Sequence, residues 1–480
     1  MKQTRKLLFP GLSPLKIKKQ LCISVLLTIL VGINLYWTWQ NYPAIMSLDS
    51  VHTWGEINGL RPLNDHHTSA WNIYSFLLSI GGNYLFTLPV FQQTFLLITL
   101  YIFMKALDPE GGVELRIFYL ILLSFTPYLS MFPLTWWKDI PYSTITLLGL
   151  SVLAIAHKSN IGAKKYFIIS FFLLSISFTF RHNGIYVGAL SLLLLILSTV
   201  ITKSFCKRKL KLSLFVFALS LILGYLLLNS LPKIIGAQEI PKNTAYQGFL
   251  HEIIVVASSP GAKVPPTASK FINRTTKNLL SPEYLTCNPS IFSDTVMPTL
   301  LISDLDYTFL NSNYNEIIPV WYSLLKLNPE IIVNNRLCRF SNLIPPPFSK
   351  MPTNIYWFHE GIEKNDYGLS YAPTYDAFRV PFVAMKEFWR WNENFTAWPG
   401  LQLLLIVLIC SRRLLQSKDV FKFGLILSFC ISSTLILILA SPGPDARYLY
   451  LNSLIFISVF IMEIGSQSKR IWRRIRDLNP

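Results

Sequence analysis

Charge is scarce in this 480-residue chain: Asp, Glu, Lys and Arg make up 14% of it, against 52% hydrophobic residues. A soluble core has no need of that balance, whereas a chain that repeatedly crosses a bilayer does. Nucleotide-binding signatures are also missing. Neither a Walker A pattern nor a Gly-rich dinucleotide turn occurs, which argues against direct use of ATP. No internal repeat is visible, and the apolar runs hold few charges, such as Lys422 and Glu463 near their ends. That tells against a transporter built from paired halves with ionisable groups at the bilayer midplane. No histidine sits within the apolar runs, as a membrane acyltransferase would require, and no tight metal-ligand spacing such as His-x-x-x-His appears. Cysteine is limited to six residues, so a disulfide-stapled scaffold is excluded.

What is present is a series of about ten apolar runs long enough to approach the roughly 30 Å hydrocarbon layer. They are Leu21 to Trp39, Leu85 to Met104, Ile117 to Phe132, Ile140 to Ala156, Tyr166 to Phe180, Ile185 to Ile201, Leu212 to Leu231, Ala397 to Cys410, Val420 to Ala440 and Leu449 to Ile464. Lys and Arg crowd into Lys2 to Lys19, Lys158 to Lys165, Lys203 to Lys211, Arg412 to Lys418 and Lys469 to Arg476. Basic residues resist translocation, so these segments are expected inside, with both termini cytoplasmic and an even number of crossings. Ala70 to Ile80 is apolar but only about eleven residues long, and parity reads it as a surface or dipping helix. The net charge of +18 follows largely from the inside bias and does not call for nucleic acid. Leu21 to Trp39 lacks a small-residue cleavage pattern and is expected to be a retained signal anchor.

The predicted organisation is an all-α polytopic protein in three parts. Residues 1–231 carry seven spans and an outer loop, 40–84, with surface helices. Residues 232–396 form a mixed, mostly helical extracytoplasmic domain, where apolar runs shorten and Pro and Asn become frequent. Residues 397–480 add three spans and a basic cytoplasmic tail. Tyr314 to Phe340 reads as helix with a break at Pro329, and Cys287 and Cys338 can pair in an oxidising exterior.

Five polar clusters fall at the outer ends of spans: Asp49 with His52 and Glu56; Asp65-His66-His67; Trp136-Trp137-Lys138-Asp139; Arg181-His182-Asn183-Gly184; and Asp445-Ala446-Arg447-Tyr448. Their basic members oppose the positive-inside preference. Snorkelling to headgroups or local ion pairing accounts for any one of them, but five at one surface can line one cavity. A lipid-linked phosphosugar suits that mixture. Lys138, Arg181 and Arg447 can meet phosphate charge, and Asp49 can take a proton from an acceptor hydroxyl. Should a divalent ion take part, Asp49, Asp139 and His67 are the ligand types at hand. No other cofactor is called for.

The arrangement resembles the type C (GT-C) glycosyltransferase superfamily, and more closely an uncharacterised bacterial family of that build. The likeness rests on the amino-terminal span, the first-loop acid, the surface helices and the late outer domain. It also rests on Pro62-Leu63-Asn64-Asp65-His66-His67, Trp137-Lys138-Asp139-Ile140-Pro141-Tyr142, Arg181-His182-Asn183-Gly184-Ile185-Tyr186, Trp321 to Pro329 and Arg447-Tyr448. Asp65-His66-His67 departs from the aromatic-His-Pro arrangement of such proteins, and His67 is the better-placed histidine. The resemblance implies about ten transmembrane helices in the plasma membrane. It also implies inverting transfer of a sugar from a polyprenyl-phosphate donor to a surface glycan or lipid acceptor, with Asp49 as base or metal ligand. Asp139 would be a second catalytic acid, and His67, Lys138, Arg181, Asn183, Arg447 and Tyr448 would bind substrate. A flippase, transporter or polymerase of lipid-linked saccharides is the alternative reading.

Overall fold

The computed structural model describes residues 14–65, 67–160, 162–202, 208–238, 247–276, 305–340, 361–371, 378–391, 399–416, 419–440 and 449–478. Among these the chain is helical, and strand pairing is limited to isolated bridges. In chain order the first ten helices are α1 (Pro14–Gln40), α2 (Leu48–Ile57), α3 (Ser69–Leu78), α4 (Thr87–Leu107), α5 (Val113–Leu123), α6 (Pro127–Ser130), α7 (Asp139–Lys158), α8 (Ala163–Ser177), α9 (Gly184–Ile201) and α10 (Arg208–Ile235). Then come α11 (Gln247–Ser258), α12 (Pro266–Thr275), α13 (Tyr307–Ser312), α14 (Ile317–Leu327), α15 (Pro329–Phe340), α16 (Val380–Trp391), α17 (Pro399–Leu415), α18 (Val420–Ala440) and α19 (Tyr450–Leu478).

Among the described residues, six helices are long and apolar enough to cross a membrane: Lys18–Gln40, Thr87–Leu107, Asp139–Lys158, Gly184–Ile201, Arg208–Ile235 and Val420–Leu439. The fold is therefore that of an all-α polytopic protein. Helix α3, at ten residues, extends about 15 Å, half the hydrocarbon thickness. Helix α7 is the most enclosed of the six and packs against α4, α8, α10, α18 and α19. Its acid in the first turn and its His157 and Lys158 in the last both suit the helix dipole. Gly149 permits the close approach of α8, because a Cβ there would meet the Leu174 side chain at 2.8 Å, and Ser170 Oγ donates to the Gly149 carbonyl at 2.9 Å.

The run Ile117 to Phe132, expected to be one crossing, is instead broken. Val113–Leu123 and Pro127–Leu134 meet at a bend of 89°. Proline disfavours helical backbone in the residue before it, and Thr126 is accordingly extended (φ −95°, ψ 150°). The break frees backbone carbonyls, and side chains from neighbouring helices meet them. Trp37 Nε1 donates to Ser124 O (2.7 Å), Gln93 Nε2 to Leu129 O (3.3 Å), Gln92 Nε2 to Thr135 O (3.0 Å) and Tyr450 Oη to Tyr128 O (2.6 Å). Gln93 also bonds Asn34 and Thr38 on α1.

A second core gathers Leu250, Ile253, Phe271, Leu310, Ile317 and Leu324 from α11 to α14, with Ile332 of α15. The expected helix break at Pro329 is present, after Asn328. Cys338 is disulfide-bonded, and its expected partner Cys287 lies outside the described residues. This block is fastened to the bundle at several points. Phe382 of α16 packs with Trp37, Ile45, Met131 and Leu134, Gln238 pairs with Asn64, and Arg336 Nη1 donates to Leu439 O at 2.8 Å.

Replacing Gln93 by Leu leaves Leu129 O and the side chains of Asn34 and Thr38 short of a buried partner. A loss of about 1–3 kcal/mol is expected, read as a lower unfolding midpoint in detergent, while Thr94→Val at the adjacent exposed position changes the midpoint little.

Candidate functional site

Asp49 occupies the first turn of α2, partly buried. The turn is anchored by its neighbours in sequence. Ile45 N donates to Leu134 O (3.0 Å) and Trp136 N to Ile45 O (3.1 Å), so residues 45 and 135 form a parallel bridge. Ser50 Oγ donates to Trp136 O (2.8 Å), and Trp137 Nε1 donates to Ser47 Oγ (3.0 Å). The acid of the first loop is thus joined to the Trp136-Trp137-Lys138-Asp139 cluster ahead of α7.

From there the contacts continue. Lys138 Nζ lies 3.5 Å from His67 Nδ1. Asp139, 3% exposed, faces Arg181, 7% exposed, with Arg181 Nη1 3.0 Å from Asp139 Oδ1. The pair meets by charge rather than through a well-aligned hydrogen bond. The Arg181 guanidinium also lies over the Tyr142 ring, 5.5 Å from its centroid. Its neighbour His182 donates from Nε2 to Asp65 O (2.8 Å). Asp65 in turn accepts from both Ser69 N (2.7 Å) and Ser69 Oγ (2.8 Å), serving the start of α3 in place of Thr68, whose side chain does not cap it. Asn183 is the residue before α9 and its carbonyl accepts from Val187 N (3.1 Å).

Four of the five polar clusters therefore converge at one end of the bundle. Arg447 and Tyr448 of the fifth lie outside the described residues, as does His66. Tyr450, which follows, stacks on Phe132 (5.2 Å), which in turn meets Trp137 edge-on (5.6 Å). The described basic residues of the connections lie at the other end of the same helices. There Lys209 Nζ donates to Ser159 O (3.0 Å), and Lys422 Nζ donates to Leu107 O (3.1 Å) and Asp419 (2.9 Å).

Glu56 is enclosed, with Asn64 Nδ2 on one carboxylate oxygen (2.6 Å) and Asn72 Nδ2 on the other (3.2 Å). Burial raises its pKa, while Arg61 and the two amides pull the other way. His52 sits below the ordinary imidazole value. Burial is the larger cause and Arg61 the next, opposed by Asp49 and Glu363. Among the described residues, no group of three or more His, Cys, Asp or Glu side chains can hold a metal ion, so Asp49, Asp139 and His67 do not form a ligand set.

One participant escaped the sequence reading. Glu363, more than 300 residues from Asp49, accepts a hydrogen bond from Leu48 N, and Met46 pairs with Ile362 in a parallel bridge. Nothing in Gly361-Ile362-Glu363 signals that contact. Compared with known proteins, the chain matches no family model and no curated sequence.

Removing Arg181 strands the Asp139 carboxylate. Arg181→Ala is expected to cost about 3–5 kcal/mol of stability, part of which returns in Arg181→Ala/Asp139→Asn, as thermal unfolding of the two proteins will tell. The His182 side chain is 41% exposed. Burial of the rest and then the Lys138 ammonium hold its pKa below 6.5, against the pull of Asp65. The folded imidazole thus stays neutral where the unfolded one protonates. The contribution is complete above about pH 6.5 and is lost as pH falls through the lowered value. Unfolding midpoints between pH 5 and 7.5 should show a shallower decline in His182→Asn than in the parent.

Proposed function

We propose that the protein transfers a sugar from a polyprenyl-phosphate donor to a hydroxyl of a surface glycan or lipid acceptor at the outer face of the plasma membrane. The observation that carries this reading is that Ser47 and Ser50, on either side of Asp49, bond Trp137 and Trp136, just ahead of the Lys138–His67 contact and the Asp139–Arg181 pair, at the end of the bundle opposite the basic loops. With the basic end cytoplasmic, both termini are inside. About ten crossings in a GT-C-like arrangement complete the bundle, and the block of residues 232–396 is outside.

In this reaction the acceptor oxygen forms a bond to the anomeric carbon as the bond from that carbon to the phosphate oxygen breaks. The anomeric configuration inverts, Asp49 takes the hydroxyl proton, and polyprenyl phosphate departs with the bonding electrons. Lys138 and Arg181 face the growing phosphate charge, with Arg447 and Tyr448 as further phosphate or sugar contacts. A buried carboxylate already paired with Arg181 is poorly suited to take a proton. Asp139 therefore aims the guanidinium, while Asp49 does the proton transfer. His67 and Asn183 border the donor.

Asp49→Asn should lower transfer from a polyprenyl phosphosugar by about 10²- to 10⁴-fold in purified membranes at matched protein level. Full activity in that variant would remove Asp49 as the base.

A further inference from the structure

Helix α2 has a serine at its N-cap position, yet Ser47 does not cap it. Its hydroxyl is taken by Trp137 Nε1 and Ser50 Oγ. The first amide groups of a helix have no partner within it, so Leu48 N needs an acceptor from elsewhere. Glu363 supplies it, from 315 residues further along the chain.

The segment that delivers Glu363 is braced to do so. Met46 N donates to Gly361 O (3.0 Å) and Glu363 N to Met46 O (2.9 Å), clamping the segment to the residues just ahead of α2. Gly361 has φ +75°, and a Cβ there would lie 2.4 Å from Tyr371 O, so this turn requires glycine. Asn365 ties the turn from within. Its Oδ1 accepts from Tyr367 N (3.0 Å) and Leu369 N (3.3 Å), and its Nδ2 donates to Glu363 O (2.8 Å) and Leu369 O (2.7 Å). Beyond it, Tyr367 lies so close over α2 that a Cβ at Gly55 would fall 2.8 Å from its ring, and it packs with Trp54 at 6.1 Å. Both ends of α2 are thereby held by residues 361–371.

We propose that Glu363 is a positioning residue for Asp49: its carboxylate replaces the missing serine cap and fixes the first turn of α2, in which Asp49 lies. The inference rests on Asp49 as the base. Two carboxylates at one helix start repel each other, and the helix dipole offsets part of that repulsion; both carboxylates act on His52, with Arg61 opposing them. Without the cap the first turn frays and Asp49 loses its fixed aim, and small misplacements of a catalytic group carry large rate penalties.

The test compares Glu363→Ala and Glu363→Gln in the full-length protein, by hydrogen exchange of residues 48–57 and by transfer from polyprenyl phosphosugar. In Glu363→Ala, faster exchange in the first turn is expected, with turnover reduced about ten- to a hundredfold and donor KM little changed. Glu363→Gln, whose amide oxygen can accept the same N–H, should recover most of both. Unaltered exchange in the Ala variant, or equal defects in the Ala and Gln variants, would overturn the capping role. Faster exchange with undiminished turnover would overturn the positioning role. Failure of the base reading is distinguishable, because a fully active Asp49→Asn leaves the exchange result standing.

Discussion

A break in a helix among membrane spans is stable only where every freed carbonyl and amide finds a partner, because hydrocarbon offers none. The bend between Val113–Leu123 and Pro127–Leu134 is such a break, and much of the structure is arranged around it. Trp37 from α1, Gln92 and Gln93 from α4 and Tyr450 from α19 each deliver one donor to its carbonyls. These are long side chains at chosen depths, so the requirement fixes how α1, α4 and α19 are placed against one another. It also decides where the chain leaves the bend. Residues 134–136 run beside Ile45, and that pairing seats the turn of α2 that carries Asp49. The polar cluster at the bundle end is thus a consequence of backbone satisfaction as much as of charge.

Charge then determines what that end can do. Burying Asp139 and Arg181 together carries a desolvation penalty that their attraction roughly offsets, so the pair is poor evidence for stability. Arg181 over Tyr142, with Asp139 on its other side, has lost most of its freedom to move. A guanidinium fixed before a ligand arrives avoids that ordering cost when it binds one. Lys138 and His182 add a second device. Burial, and after it the Lys138 ammonium, lowers the His182 pKa and favours its neutral form, leaving Lys138 and Arg181 as the cations of this end.

Much of this was legible in the sequence. Over the described residues the apolar runs fall mostly in helices because composition alone removes the alternatives, and the polar clusters announced themselves by falling at run ends against the charge bias. What Ile117 to Phe132 did not disclose was its bend, because hydropathy sums side chains without regard to backbone direction. Pro127 was the available sign, acting through the extended Thr126. Glu363 was not legible at all. It joins Leu48 through a backbone amide, which any sequence possesses, and the pairing of Met46 with Ile362 is a single bridge without periodicity.

The described parts of the block between α10 and α17 are joined to the bundle at several places. Arg336 shows how. Its Nε lies 2.7 Å from Glu252 Oε1, its Nη2 donates to Glu252 Oε2 (3.1 Å), and its Nη1 reaches Leu439 O at the last turn of α18. A cation at a helix C-terminus satisfies a free carbonyl and suits the dipole together. Trp321 Nε1 donates to the same carboxylate at 2.6 Å, so the core of the block and the end of a span share one charge network. Gln238, residues 361–363 and Phe382 add three more attachments, on the Asn64 loop, on Met46 and on α1. The attachments fall at four separated places along the chain, and one of them, the pairing of residues 361–363 with Met46, holds the turn that carries Asp49.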